Sequence, residues 1–415
     1  MIIEEKAKAT LTLPDKTILE IGEIDITTLS LSSKAVSGSS FELGSVCSEQ
    51  LSMQFMLDGI NPYSIIGGVV KLFLYKNGEW FQKGLYNVTS CKRYKRVYNL
   101  QASDNMILLD FSAFQVGGSN EKINLIAEYF RAEKSIYDIL SYIISLTGLE
   151  LGNTEEEINA MPNGQITSEM YTQKNYNGNV RDWIAWCAEI LGGFATADEY
   201  GRIKINQFEM NSSAVISNAM INSGSSDIAD FTVAAFDVSI TFYDGSWYKT
   251  YTVTNEKELM LSIAFDDNPI AQGYYYICTQ RYSGDTFDKK IWDFTGAVWE
   301  AVGNLPIRPM SISVASNELY HIGQRVTVQN SDGNYVDSLI TSFNWSLHDL
   351  QKIKCVGEDT RLISKIRQRS ELARATEEAK TLINEAYGRA VTQAELDALE
   401  ADNKLIEGQV FYVYE

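Results

Sequence analysis

The sequence predicts a β-rich α+β protein of several domains, and three observations predict it. At 415 residues the chain exceeds one ordinary core, and 45% apolar with 21% charged residues is a globular balance. The 23 tyrosines, with many Thr, Ser, Val and Ile, favour strands over much of the length, and only 6 prolines with no long biased tract speak against a large disordered region. Period-two runs fill the first hundred-odd residues and return after residue 229, while a helical period occupies the stretch between.

Residues 1–117 read as a small barrel or sandwich. Runs at 10–13, 24–26, 51–57 and 69–75 are strand-like, and Lys76-Asn77-Gly78-Glu79 is a hairpin signal because Asn-Gly accepts positive φ. Residues 84–88 and 98–102 continue the pattern. Residues 118–228 switch period. Ser135 caps a helix with Asp138 three residues on; Ile136, Ile139, Leu140, Ile143 and Ile144 form its apolar face, and Gly148 stops it. A second helix opens at Asn179, carries Val180, Trp183, Ile184, Cys187, Ile190 and Leu191 on one side, and ends at Gly192-Gly193. A hairpin of 194–197 and 202–205 follows; each helix is too short to stand alone, so both must pack on a sheet.

Residues 229–254 and 305–358 return to β, with 236–243 meeting 247–253 and a hairpin turning at Asn330-Ser331-Asp332-Gly333-Asn334. Residues 255–304 look like a small inserted domain with a helix over 291–302. Residues 359–390 read as a charged helical connector whose thin seam (Leu362, Ile366, Ala373, Ala379, Ile383, Ala386) suits a loose stalk better than a robust coiled coil. Residues 391–415 form a small cap, with a short helix at Thr392 and Glu395 and a terminal strand at 410–414.

Composition narrows function. With 54 acidic against 35 basic residues the net charge is −19, the wrong sign for gripping nucleic acid. The basic run Cys91-Lys92-Arg93-Tyr94-Lys95-Arg96 reads as the solvent face of a strand. Cys47, Cys91, Cys187, Cys278 and Cys355 are odd in number and widely spaced, the pattern of reduced, buried thiols. Met1-Ile2-Ile3-Glu4-Glu5 carries no secretory signal, and no apolar run reaches membrane-spanning length.

No catalytic, cofactor-binding or metal-binding residues are assigned. His321 and His348, the only two histidines, have no nucleophile motif nearby and read as surface-loop residues. HExxH, P-loop and Rossmann patterns are missing, and the 330–334 stretch lacks the alternating ligands of a calcium loop. Glu155-Glu156-Glu157 reads as a solvated run. Trp292 and Trp299, i and i+7 on one helix, would make a sugar-stacking shelf or, as the spacing favours, core packing.

Several phrases in order resemble the baseplate-hub or tail-associated (tail tip) protein family of tailed phages, especially those of Gram-positive hosts. Phe41-Glu42-Leu43-Gly44-Ser45-Val46-Cys47-Ser48 is similar to its first-barrel segment, and Gly84-Leu85-Tyr86-Asn87-Val88 to a recurrent strand. Asn179-Val180-Arg181-Asp182-Trp183 through Gly201-Arg202-Ile203-Lys204-Ile205 is similar to its helix, glycine pair and hairpin. Asn268-Pro269-Ile270 is similar to the close of a strand before an insertion, and Tyr320-His321-Ile322-Gly323-Gln324-Arg325-Val326 to the start of its second barrel, with Gln324 where the family often has Asp.

The resemblance implies two tube-like β-barrel domains (1–117; 229–254 with 305–358) in a homotrimeric, non-enzymatic hub that closes the tail tube. Three chains would then present six barrel units to a hexameric tail-tube or distal tail protein. Other partners would be a tape-measure protein and fibre or receptor-binding proteins. DNA would pass through during ejection without being specifically bound, and no cofactor is expected. Assembly would occur in the host bacterial cytoplasm and the final location would be the virion tail. About 55 residues after the second barrel leave no room for a hydrolase, so no wall-degrading activity is expected. Two alternatives from other classes are a host-surface carbohydrate-binding adhesion module, using Trp292, Trp299 or Tyr274-Tyr275-Tyr276, and a glycosidase with paired carboxylates.

Overall fold

The computed structural model describes residues 5–34, 43–76, 78–110, 114–116, 122–169, 178–225, 232–242, 245–252, 258–265, 268–303, 305, 310–315, 319–330, 333–355, 389–392 and 411–414. The chain divides into two compact units, Met1–Leu362 and Ile363–Glu415.

The first unit begins with seven strands: β1 (Lys6–Thr12), β2 (Ile18–Ile21), β3 (Ile26–Lys34), β4 (Glu49–Met56), β5 (Val69–Lys76), β6 (Glu79–Tyr94) and β7 (Val97–Asp104). They pair antiparallel in the order β2-β1-β5-β6-β7-β4-β3. Strict alternation explains them: Ala7, Ala9 and Leu11 of β1, Val70, Leu72 and Leu74 of β5, and Leu51, Met53 and Phe55 of β4 all point inward. The Asn-Gly hairpin forms as its sequence requires, with Lys76 facing Glu79 and Gly78 at φ +91°. The basic run at 91–96 is a hairpin tip rather than a continuous strand face. β6 ends at Tyr94, Lys95 takes φ +55°, and Arg96 pairs with Asp58 at 2.6 Å.

The middle of the unit holds β8 (Phe114–Val116), β9 (Lys122–Asn124), α1 (Leu125–Tyr129), β10 (Lys134–Ser135), α2 (Ile136–Ser145), α3 (Glu155–Asn159), β11 (Thr167–Ser168), α4 (Val180–Ile190), β12 (Gly193–Ala197) and β13 (Ile203–Gln207). Ser135 accepts the Asp138 N–H at 3.1 Å, and Asn179 and Asp182 close a reciprocal capping box. The five apolar residues predicted for α2 and the six predicted for the second helix are all buried. Each fully buried aliphatic side chain is worth roughly 1.5–3 kcal/mol of removal from water, which holds such short helices in place.

Next come β14 (Ala214–Ile216), β15 (Ile221–Ser225), β16 (Thr232–Phe242), β17 (Gly245–Thr252), β18 (Glu258–Ala264), α5 (Pro269–Arg281) and α6 (Gly284–Val302). Five strands complete the unit: β19 (Met310–Val314), β20 (Arg325–Gln329), β21 (Tyr335–Leu339), β22 (Ser342–Ser346) and β23 (Gln351–Cys355). β16 to β18 form their own three-stranded sheet. β14, β20 and β21 form another, in which β14 lies parallel to β20. β15, β19, β23 and β22 continue the first seven strands into one eleven-stranded sheet. The seam is β3 against β22, with Leu31 facing Trp345 and Ser33 facing Phe343, all four nearly inaccessible. Among the described residues no strand pairing closes either β region into a barrel; the sheet stays open from β2 to β15.

The inserted region contains two helices where the sequence showed one. α5 is buried on nearly every side, including Ile270, Ala271, Gln272, Gly273, Tyr275, Ile277 and Cys278, so it has no polar stripe from which a helical period could be read. Asn268 caps it through the Ile270 and Ala271 N–H groups, with Pro269 at the first position. Both helices dock on the middle region. The Asn268 amide reaches the Trp186 carbonyl at 3.0 Å, and the Asn163 amide bridges the Ile190 and Phe294 carbonyls at 3.0 and 2.9 Å.

In the second unit, β24 (Arg389–Thr392) and β25 (Phe411–Tyr414) pair in parallel. The expected connector helix lies outside the described residues except for its last two, which open β24; the short helix expected at Thr392 and Glu395 lies outside them beyond Thr392. Among the described residues no helix is long and apolar enough to cross a membrane.

Candidate functional site

The two β regions and the middle region meet around the β12–β13 hairpin. Residues 43–48 form a rail along it: Gly44 N–H donates to the Gly193 carbonyl at 2.9 Å, Ala195 N–H to Ser45 at 2.8 Å and Cys47 N–H to Ala195 at 2.8 Å. Gly44 is at φ +71°, and a Cβ there would lie 2.5 Å from the Ala185 carbonyl oxygen in α4. Only glycine allows that backbone to touch the helix. From the other side Gly323, at φ +79°, lies against the Phe194 ring, where a Cβ would come within 2.5 Å. The 3₁₀ turn Asn105–Asp110 completes the joint: the Asn105 amide donates to the Gly201 carbonyl at 2.6 Å, and Arg181 of α4 reaches Asp110 at 2.7 Å and the Met106 carbonyl.

A polar cleft of 340 Å³ opens at this joint. One wall is a network on the inward register of β4, β6 and β7. Asp104 accepts from Ser48 Oγ at 2.8 Å, Glu49 N–H at 2.8 Å and Met106 N–H at 3.2 Å. Glu49 accepts from the Tyr86 hydroxyl and pairs with Lys83 at 2.9 Å. Burial pushes the Asp104 carboxyl up to about 7 against the pull of its hydrogen bonds, and the Glu49 charge adds to the push. Burial, then the Glu49 charge, raises Tyr86 well above its ordinary value, so it stays a neutral donor. The opposite wall carries His321, 60% exposed, with Nε2 3.4 Å from Glu209. Desolvation by the cleft lowers its pKa while Glu209 works the other way.

The network can hold a proton near neutrality, but it does not form a nucleophile–base pair. Ser48 Oγ is bonded to Asp104 and Ser103, and His321 faces Glu209. Among the described residues no group of three His, Cys, Asp or Glu could hold a metal.

The remaining sequence candidates lie apart from the cleft. His348 is exposed in a left-handed turn at φ +62°, its N–H bonded to Glu5. All five cysteines are buried; burial raises Cys91 to about 11 and pushes Cys187 up further. Asn334 N–H donates to Asn330 Oδ1 at 2.8 Å between the paired strands β20 and β21; Ser331 and Asp332 lie outside the described residues. Glu155, Glu156 and Glu157 are exposed in the first turn of α3, where the helix dipole favours them. The aromatic shelf does not assemble: Tyr274 stacks on Phe294 at 5.1 Å, Tyr275 meets Phe287 edge-on, and the Trp299 ring lies over Gly303. Trp292 is 45% exposed.

The Glu49–Asp104 network was not singled out from sequence, although a signal was present. Asp104 follows Tyr98, Leu100 and Ala102 in the inward register of β7, and Glu49 precedes Leu51, Met53 and Phe55 in that of β4. Two carboxylates on the core faces of adjacent strands mark a built polar network.

No family model and no curated protein matches the sequence. Solved structures do match. The prophage tail protein gp18 from Listeria monocytogenes aligns with a TM-score of 0.50 at 10% identity, over 88% of this chain and 99% of that one. The 43 kDa tail protein of prophage MuSo2 from Shewanella oneidensis aligns at 0.49 and 13%, over 84% and 98%. A tail protein from Neisseria meningitidis aligns at 0.48 and 12%, over 85% and 97%. At such identities the likeness is one of fold, and the chain shares its fold with the Listeria protein over nearly the whole of that chain.

Proposed function

We propose that this chain is a structural, non-enzymatic hub at the distal end of a phage or phage-derived tail. Three copies form a ring that closes the tail tube and links it to host-recognition or wall-penetrating components during DNA ejection. The observation that carries the reading is the β3–β22 seam. It joins the N-terminal strands to β15, β19, β22 and β23 of the same polypeptide in a single sheet, and in the reading proposed here three such chains supply six units around one hole. In this reading 1–117 is the first tube-like unit and 229–254 with 305–358 the second, the latter drawn from three sheets, since β16 and β17 pair apart from β19, β22 and β23, and so do β20 and β21. A hexameric tube protein would meet the ring without a symmetry mismatch. The fold shared with a prophage tail protein supports the virion tail as its place; a Gram-positive host rests on the local sequence phrases alone.

The net charge of −19 suits a conduit, since an acidic lumen repels DNA and lets it slide. The cleft at the joint serves this reading as a structural network, not as a reaction centre. Light scattering on the eluting chain tests the assembly. The expected mass is three times 46.6 kDa; a species that stays at 46.6 kDa at all concentrations contradicts it.

A further inference from the structure

The outer face of the N-terminal sheet carries a strip whose charge is opposite to that of the chain as a whole. Strand alternation turns Lys6 and Lys8 of β1, Lys71, Phe73 and Tyr75 of β5, and Trp80 of β6 away from the core. Lys8 and Lys71 flank the Phe73 ring at 5.6 and 5.4 Å from its centroid. Lys8 also lies 4.5 Å from the Trp80 ring, and Lys6 sits 5.5 Å from Tyr75, which is tilted against Trp80 at 5.4 Å. Lys6 is paired with Glu23 at 3.4 Å. Lys8 and Lys71 are exposed and, among the described residues, have no carboxylate partner.

We infer that this strip is a docking surface for an acidic stretch of a second copy of the chain. Two copies at −19 each repel over most of their surfaces, and they attract only where the local sign reverses. The strip supplies such a reversal. Its rings hold the lysine stems in place, so an incoming carboxylate orders them at little further entropic cost. It covers the three strands next to β2, one of the two free edges of the eleven-stranded sheet. This inference rests on the trimeric reading above, because it needs a second copy to meet the first.

The test compares the full-length wild type with K8E/K71E by light scattering and sedimentation at low and at 0.5 M salt. The wild type is expected to be a trimer that loosens with salt. K8E/K71E is expected to dissociate at least tenfold more readily at low salt, with the far-UV circular dichroism of the folded wild type and a melting temperature lowered only by the lost ring contacts and the looser assembly. A trimer as tight in K8E/K71E as in the wild type overturns the strip and leaves the trimer standing, whereas a wild-type monomer overturns both. Binding of a labelled single-stranded oligonucleotide that is lost in K8E/K71E would assign the strip to nucleic acid instead and also overturn the inference.

Discussion

The N-terminal and C-terminal β regions share one sheet but are built differently. β4 to β7 are linked by two tight hairpins and a cross-strand pair, so most of the N-terminal partners lie within a hundred residues of one another. The C-terminal region borrows its partners. β14 lies parallel to β20 more than a hundred residues on, and β15 lies antiparallel to β19 across the sheet β16–β18 and the helices α5 and α6. The difference teaches that the C-terminal region cannot complete itself until the middle and inserted segments have folded, because closing loops of that length costs entropy that the N-terminal hairpins avoid.

The seam is where that comparison breaks most easily. Trp345→Ala empties a site that is 3% exposed and faces Leu31 across the two regions. It is expected to cost about 3–5 kcal/mol in urea unfolding and to expose C-terminal amides to hydrogen exchange before those of β4 to β7. Equal loss of protection in both regions would refute the proposed dependence.

Two glycines with similar backbones sharpen the comparison further. Gly78, at φ +91° in the N-terminal hairpin, has open space where a Cβ would go, whereas Gly323, at φ +79°, has the Phe194 ring. Gly78→Ala should therefore cost only the left-handed penalty of about 1–2 kcal/mol. Gly323→Ala should cost several kcal/mol, since it adds a clash at the joint. Thermal unfolding of the two variants side by side reads the difference.

A smaller effect belongs to Asp104. Its carboxyl is raised from an ordinary 3.8 to about 7, so between those values the folded chain holds more protons than the unfolded one. Stability from this group is therefore greatest below about pH 4, declines as pH rises, and is lowest above about 7, by at most about 4 kcal/mol. The melting temperature of the wild type should fall between pH 5 and pH 8. Asp104→Asn removes the titration and should flatten that slope, though its absolute stability drops because a single amide oxygen cannot accept on both sides, from Ser48 and Met106 and also from the Glu49 N–H, as the two carboxylate oxygens do. An unchanged slope in the variant would locate the proton elsewhere.

Much of the fold was legible in the sequence, and what was missed has a physical pattern. Alternation exposed the N-terminal strands, and caps at Ser135 and Asn179 bounded α2 and α4 with their buried faces correctly assigned. α5 escaped because a helix buried on all sides has no amphipathic period. The stretch 152–169 escaped because its order comes from tertiary contacts: Asn153 replaces a strand partner by bonding both the Ile205 N–H and its carbonyl. The seam and the joint are likewise pairings between distant segments, which no local signal encodes. The glycines that make them possible, Gly44 and Gly323, were visible only as parts of resembling phrases.

Class-averaged electron microscopy of the purified full-length protein tests the central claim most directly. Two units per chain in a trimer predict an annulus of six similar densities, alternating in detail with threefold symmetry, around an open or plugged centre. Three-lobed particles without a ring, or single elongated particles, would contradict it.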